Sequence, residues 1–174
     1  MISYREFRFT DFKTIKNLLN SSKNRRMSYD INYLNIEKML KCILFFNDNN
    51  LAMLSGIDNI SEFVPNTFRI LTRAITTKYS PKCWGPTIEE KFFSNIMAGI
   101  SVEYCEKIDD NKNIVITTNE NSRISNVMMR QKKDWMSYRD VKMIYGVPQI
   151  IWNINLEKCK NMTNKWKEKL CMDF

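Results

Sequence analysis

The stretch from Thr67 to Ile108 constrains this chain more than any other. It reads as a long strand, a loop and a long amphipathic helix in immediate succession. Thr67 to Lys78 carries Phe68, Ile70, Leu71 and Ile75 among residues suited to extended backbone. Tyr79 to Pro86 holds two prolines and a glycine, so it is a loop. Thr87 and Glu90 stand at capping-box spacing, where a hydroxyl and a carboxylate each serve one unpaired backbone N–H. The helix they open runs to about Ile108, with Phe92, Phe93, Ile96, Met97, Ile100 and Tyr104 on its buried side. A strand that feeds a helix of this length needs a sheet with a helix packed on its face.

The flanking chain supplies the rest of that sheet. Ile2 to Phe9 alternates and reads as a strand. Thr10 and Asp11 cap a helix with Phe12, Ile15, Leu18 and Leu19 on one face. Ser21 to Ser28 is a polar, basic loop, and a second helix is expected from about Tyr29 to Leu40. Cys42 to Phe46 and Leu51 to Ile57 flank Asn47-Asp48-Asn49-Asn50, a hairpin signal without a glycine. Asn113 to Thr118 is a short buried strand, and Ser122 caps a helix reaching about Asp134. Val141, Met143 and Tyr145 alternate, Gly146 to Pro148 interrupt, and Gln149 to Ile154 resumes as a strand. The order predicts a mixed α/β domain over 1–155, followed by a lysine-rich tail or helix over 156–174.

Composition narrows the chemistry. The 174 residues contain no histidine, which removes Ser-His, Cys-His and His-ligand mechanisms. The five cysteines form no CxxC pair, which argues against a zinc site or a secreted disulfide framework and fits a reducing cytoplasm. The N-terminal segment has arginines inside an alternating pattern, unlike a signal peptide. No apolar run approaches a membrane span. The net charge of +8 favours anionic partners, although a basic surface also serves solubility alone.

The element order, the segment Arg69 to Glu90 and the segment Ile114 to Ser122 together resemble the GNAT superfamily, the Gcn5-related N-acetyltransferases. The closing run Tyr145 to Trp152 resembles the final strands of small phage-encoded members. The resemblance implies a single twisted mixed sheet flanked by helices, and acyl transfer from acetyl-CoA or another acyl-CoA to an amine. It places the donor's pantetheine arm along the backbone of Thr72, Ala74 and Thr76. Its pyrophosphate falls at Lys82, Gly85 and Thr87, where a helix N-terminus favours an anion. Asn119 follows the short strand, also at the cofactor. The loop departs from the family pattern: only Gly85 remains of two glycines, and Pro86 lacks an N–H. The family's usual acid, a tyrosine in the next helix, falls by position at Met129, which moves no proton.

Other residues could carry the chemistry. Arg73 lies mid-strand with the same parity as Arg69, and an inward arginine needs a carboxylate, a phosphate or a solvated cleft. Either it makes a structural ion pair, with Glu103 or Glu120 for example, or it clamps an anionic substrate. Glu120 would accept a proton if partly desolvated, since loss of water disfavours the charged form. Tyr79, Tyr138 and Tyr145 are candidate acids, equally readable as amphipathic core residues. Cys83, beside a helix N-terminus, is a weaker nucleophile candidate. The segment 123–142 mixes Arg123, Arg130, Lys132, Lys133, Arg139 and Lys142 with Trp135 and Tyr138. That mixture suits a nucleic-acid strand, or else a solvated helix face with two core aromatics. Met128, Met129 and Met136 read as core filling. Three functions stay open: an acyltransferase on a small amine or macromolecular acceptor, a nucleic-acid-modifying enzyme on the same scaffold akin to phage adenine modifiers of the Mom type, or a binding protein that has lost the donor site.

Overall fold

A computed structural model describes residues 2–20, 38–75, 88–131 and 133–169. Strand β1 (Ile2–Glu6) leads through a 3-10 turn (Phe9–Asp11) into helix α1 (Phe12–Asn20). Strands β2 (Lys41–Asn47), β3 (Asn50–Asn59) and β4 (Thr67–Ile75) follow, then helix α2 (Ile88–Ile108), strand β5 (Asn113–Asn119) and helix α3 (Arg123–Gln131). Strands β6 (Met136–Ile144) and β7 (Val147–Ile154) and helix α4 (Leu156–Lys169) complete the described chain. The seven strands form one sheet in the order β1-β2-β3-β4-β5-β7-β6. Every neighbouring pair is antiparallel except β4 and β5.

The glycine-free hairpin forms as expected. Asp48 and Asn49 both take positive φ, 47° and 64°, between the paired Asn47 and Asn50. Short polar side chains are the L residues that tolerate that region best, and two such residues in succession match the twist of the flanking strands.

The sheet's two faces bury different sets. Ile43, Phe45, Met53, Ile57, Phe68 and Ile70 belong to one core with Ile96, Met97 and Ile100 of α2. Helix α4 joins the same core through Cys159. It lies so close to α2 that a Cβ on Gly99 would stand 2.7 Å from Cβ of Thr163. Across the sheet, Ile15 of α1 packs with Cys42, Leu44 and Leu54. A third cluster joins Ile60 and Val64, in the β3–β4 connection, to Val115, Ile144 and Ile151.

Some expectations shift. The helix capped by Ser122 ends at Gln131, short of Asp134, and Trp135 just beyond it is drawn into the core at 2% exposure. The last strand starts at Val147, with Pro148 inside it opposite Met143. The second helix expected over Tyr29 to Leu40 falls almost wholly outside the described residues; Lys78, the loop expected from Tyr79 to Pro86 and the expected capping residue Thr87 lie outside them entirely.

Candidate active site

The parallel contact between β4 and β5 is short. Only Thr67 to Ile70 pair with Asn113 to Ile116. Beyond that point β4 continues to Ile75 and β5 to Asn119, each held on its far side, β4 by β3 and β5 by β7. The two strands therefore diverge and leave facing backbone edges unpaired with each other. A bulge accompanies the divergence. Thr72 pairs with Ser55 and Ala74 with Leu54, so Arg73 is an extra residue with no partner in β3. Bulges bend a strand and increase its twist, which turns β4 away from β5. The parity expected between Arg69 and Arg73 does not carry through it. The side chains of Thr72, Arg73 and Ala74, and the residues Thr76, Lys82, Cys83, Gly85 and Thr87, lie outside what the structure describes.

The β5 side of the opening is fixed by a hydroxyl network. Ser122 caps α3 by accepting the N–H of Ser125 at 3.1 Å. The Ser125 hydroxyl lies 2.5 Å from the Asn119 carbonyl, 2.7 Å from Thr118 Oγ1 and 2.9 Å from Ser122 Oγ. Trp152 Nε1 donates to the same Thr118 oxygen at 2.8 Å. One indole and three hydroxyls thus lock the end of β5 to the start of α3, with no charged group involved. Asn119 is exposed, and its Oδ1 accepts from Gln149 at 3.3 Å. Glu120 is exposed too, with its backbone N–H bonded to the Pro148 carbonyl. Its carboxylate keeps its water, so the desolvation expected of a base is absent.

Arg69 is 3% exposed and Asp58, directly across β3, is 4% exposed. Its Nε and Nη2 reach the two carboxylate oxygens at 2.9 and 2.5 Å. A planar fork on a carboxylate satisfies both charges, which is how a buried ion pair is tolerated. This arginine is structural. Of the two carboxylates considered for Arg73, Glu103 is engaged by Lys167 at 2.6 Å and Glu120 stands in solvent.

The candidate tyrosines separate onto opposite faces. The Tyr145 ring rests 4.8 Å from that of Phe63, and the Arg69 guanidinium lies 5.5 Å from the Tyr145 ring centre. Tyr138 stands edge-on to Trp152 at 6.1 Å, on the α2 side. Both are exposed, at 61% and 48%. Met128 and Met136 fill the core as expected, but Met129 is 47% exposed, which corrects its assignment to the core. Trp135 is buried, with the Lys133 ammonium 5.2 Å from its ring, and so offers no platform to a nucleobase. Cys105 and Cys159 are buried, and desolvation pushes both thiols up to about 12. Among the described residues, no helix is long and apolar enough to cross a membrane.

Residue patterns did not reveal Asp58, Thr118 or Trp152. Each matters only through its partner on another strand. Ser125 alone had a visible signal, three residues beyond a capping serine.

No family model matches the chain, and no curated protein matches it in sequence. Solved structures do match in shape. A protein of Desulfovibrio desulfuricans assigned to the GNAT family aligns with TM-score 0.57 and 9% identity, over 90% of this chain and 99% of that one. A Bacillus subtilis acetyltransferase in complex with CoA aligns at 0.53 and 16% identity, over 88% and 98%. The ribosomal-protein-S18-alanine N-acetyltransferase of Escherichia coli aligns at 0.52 and 10%, over 88% and 93%. The fold is that of the GNAT acetyltransferases: one mixed sheet of seven strands with helices on its faces.

Proposed function

We propose that this chain is an acyl-CoA-dependent N-acyltransferase acting on an amine. The observation that carries the reading is the divergence of β4 from β5 after Ile70 and Ile116. It leaves extended backbone donors and acceptors on β4 without a strand to pair them, which suits the amide groups of a pantetheine arm. The likeness to an acetyltransferase solved in complex with CoA supports an acyl-CoA donor. Acyl-CoA, when bound, presents an activated thioester carbonyl to the amine.

In this reading the backbone of Thr72, Ala74 and Thr76 aligns the pantetheine. Lys82, Gly85 and Thr87 hold the pyrophosphate at the N-terminus of α2, and Asn119 borders the donor from β5. With Glu120 standing in solvent, a water at the mouth takes the amine proton in its place. Tyr145 or Tyr138 returns a proton to the departing thiolate, the role that Met129 cannot fill. Arg73 orients an anionic part of the donor or acceptor. Acceptors to try include aminoglycosides and the alanine of a ribosomal protein, the acceptors named for two proteins of this fold.

A thermal-shift titration with acetyl-CoA and CoA tests the donor site. A ligand that binds only the folded state at about 100 times its Kd adds ~2.7 kcal/mol. That is a rise of roughly 5–10 °C for a domain of this size. Gly85→Asp, which sets a carboxylate against the pyrophosphate, is expected to abolish the rise and keep the fold. With an acceptor in hand, Tyr145→Phe and Tyr138→Phe identify the acid by the loss in kcat. No shift at millimolar CoA would overturn the reading.

A further inference from the structure

The exposed apolar side chains are not evenly scattered. Of the nine large ones among the described residues, five (Tyr138, Val141, Met143, Tyr145 and Val147) lie on the β6–β7 hairpin, while Phe9, Leu40, Ile108 and Met129 stand singly elsewhere. Strand β6 ends the sheet, so among the described residues its outer edge has no neighbour. It is also nine residues long, whereas exposed edges are commonly short. A bulge at Arg139 decides what it displays. Tyr138 pairs with Trp152 and Asp140 with Ile151, so alternation is reset between them. Tyr138, Val141 and Met143 therefore share one face, at 48%, 37% and 58% exposure. Asp140 and Lys142 share the other.

The polar face is incompletely satisfied. Asp140 Oδ1 is shielded from solvent and has no hydrogen-bond partner among the described residues. Its nearest cation is Arg139 Nε at 3.9 Å, and Lys142 Nζ reaches only to 3.6 Å from the other oxygen. The sequence around Val141 is self-complementary. An antiparallel pairing centred on Val141 sets Asp140 opposite Lys142 of the second strand, and Lys142 opposite Asp140. Opposite charges directly across a strand pair are favourable, and like charges are not.

We propose that β6 is a self-association edge: two copies of this chain pair through β6 in antiparallel register about Val141. The two-fold axis passes between the two Val141 residues and makes the contact isologous. The sheet then continues across both copies. Val141 meets its own copy on the apolar face, with Tyr138 and Met143 on either side. Four charges alternate in sign on the opposite face. One strand and a narrow apolar stripe make a small interface, so association falls in the micromolar range.

Sedimentation velocity on the whole chain from about 1 to 300 µM tests this, since a small interface gives a concentration-dependent dimer. A shift from monomer to dimer across that range is expected. Asp140→Lys places a lysine opposite Lys142 twice and should raise the dissociation constant at least tenfold. Adding Lys142→Asp reverses both charges, restores the complement and should recover dimerisation. Met143→Lys, on the apolar face, should weaken it independently. Circular dichroism confirms that each variant is folded. A chain that remains monomeric at 300 µM overturns the proposal, and so does a dimer indifferent to the charge reversal. An edge reserved for a peptide of another protein would give the first of these results.

Discussion

At the scale of single residues, the side chains that hold the framework depend on partners that no local pattern reveals. Asp11 is one. Its carboxylate accepts two bonds of 2.7 Å from Arg5 and a third from the backbone N–H of Arg8. The Arg5 guanidinium, chiefly through those bonds, holds the carboxyl below its ordinary 3.8. The unfolded chain therefore takes up this proton first as pH falls. The stabilisation is complete above about pH 4 and is lost as pH drops through the lowered folded value. Asp11→Asn is expected to cost roughly 1–2 kcal/mol at neutral pH, discounted for the partial exposure of Arg5. It should also flatten the acid limb of a plot of melting temperature against pH. An equal loss at every pH would assign Asp11 a purely steric role. The same dependence on partners explains why no residue pattern marks Asp58. It becomes the counter-ion of Arg69 only once β3 and β4 are in register. Tyr145 repeats the lesson. It takes φ 49° beside Gly146 at 74°, the first of two left-handed positions, where asparagine is usual. Phe63 and Arg69 hold its ring there.

At the scale of elements, strength of pattern decided what could be read. The long helix ending at Ile108, the β2–β3 hairpin and the Ser122 cap are where sequence places them; the helix is marked by a long apolar run, buried on every side from Ile96 to Val102, and the other two by their turn and cap residues. The bulges at Arg73 and Arg139 are invisible to periodicity, since one extra residue leaves composition unchanged and reverses the parity beyond it. Helix α4 read weakly because lysine is abundant in it. Its attachment comes from close approach, with Gly99 of α2 set against Thr163, and from ion pairs of Lys160 with Glu106 and Lys167 with Glu103. Gly99→Ala forces a methyl into the Thr163 side chain and is expected to destabilise by about 1–3 kcal/mol. Thr163→Ala should rescue it only in part, because the Thr163 Cβ itself lies 2.7 Å from the added atom. Chemical denaturation of the two single variants and the double variant reads this out. Full additivity would mean that the helices simply move apart.

At the scale of the whole molecule, strand order was more legible than chemistry. Order follows from where apolar segments and breaks fall along the chain, and those survive at the 9% identity that separates this protein from one of its structural counterparts. The proposed donor site depends instead on a loop with one glycine where two are usual, on the hydroxyls of Ser122, Ser125 and Thr118, and on exposed residues such as Glu120. None of these has a spacing that demands a particular reaction. The short parallel contact has a further consequence. Among the described residues, every antiparallel ladder lies wholly within 2–75 or wholly within 88–169, and only Thr67–Ile70 against Asn113–Ile116 joins the two groups of strands. A chain severed between Ile75 and Ile88 therefore keeps each ladder intact on one fragment. The apolar side of α2, which packs against β2, β3 and β4, supplies the adhesive surface. The two fragments are expected to reassemble when expressed together, as the cooperative melting of a co-purified pair would demonstrate. Failure of the fragments to co-purify would show that loop closure across residues 76–87 is needed to hold the seam shut. In that property the protein resembles a book whose two covers are complete in themselves and share a very short spine.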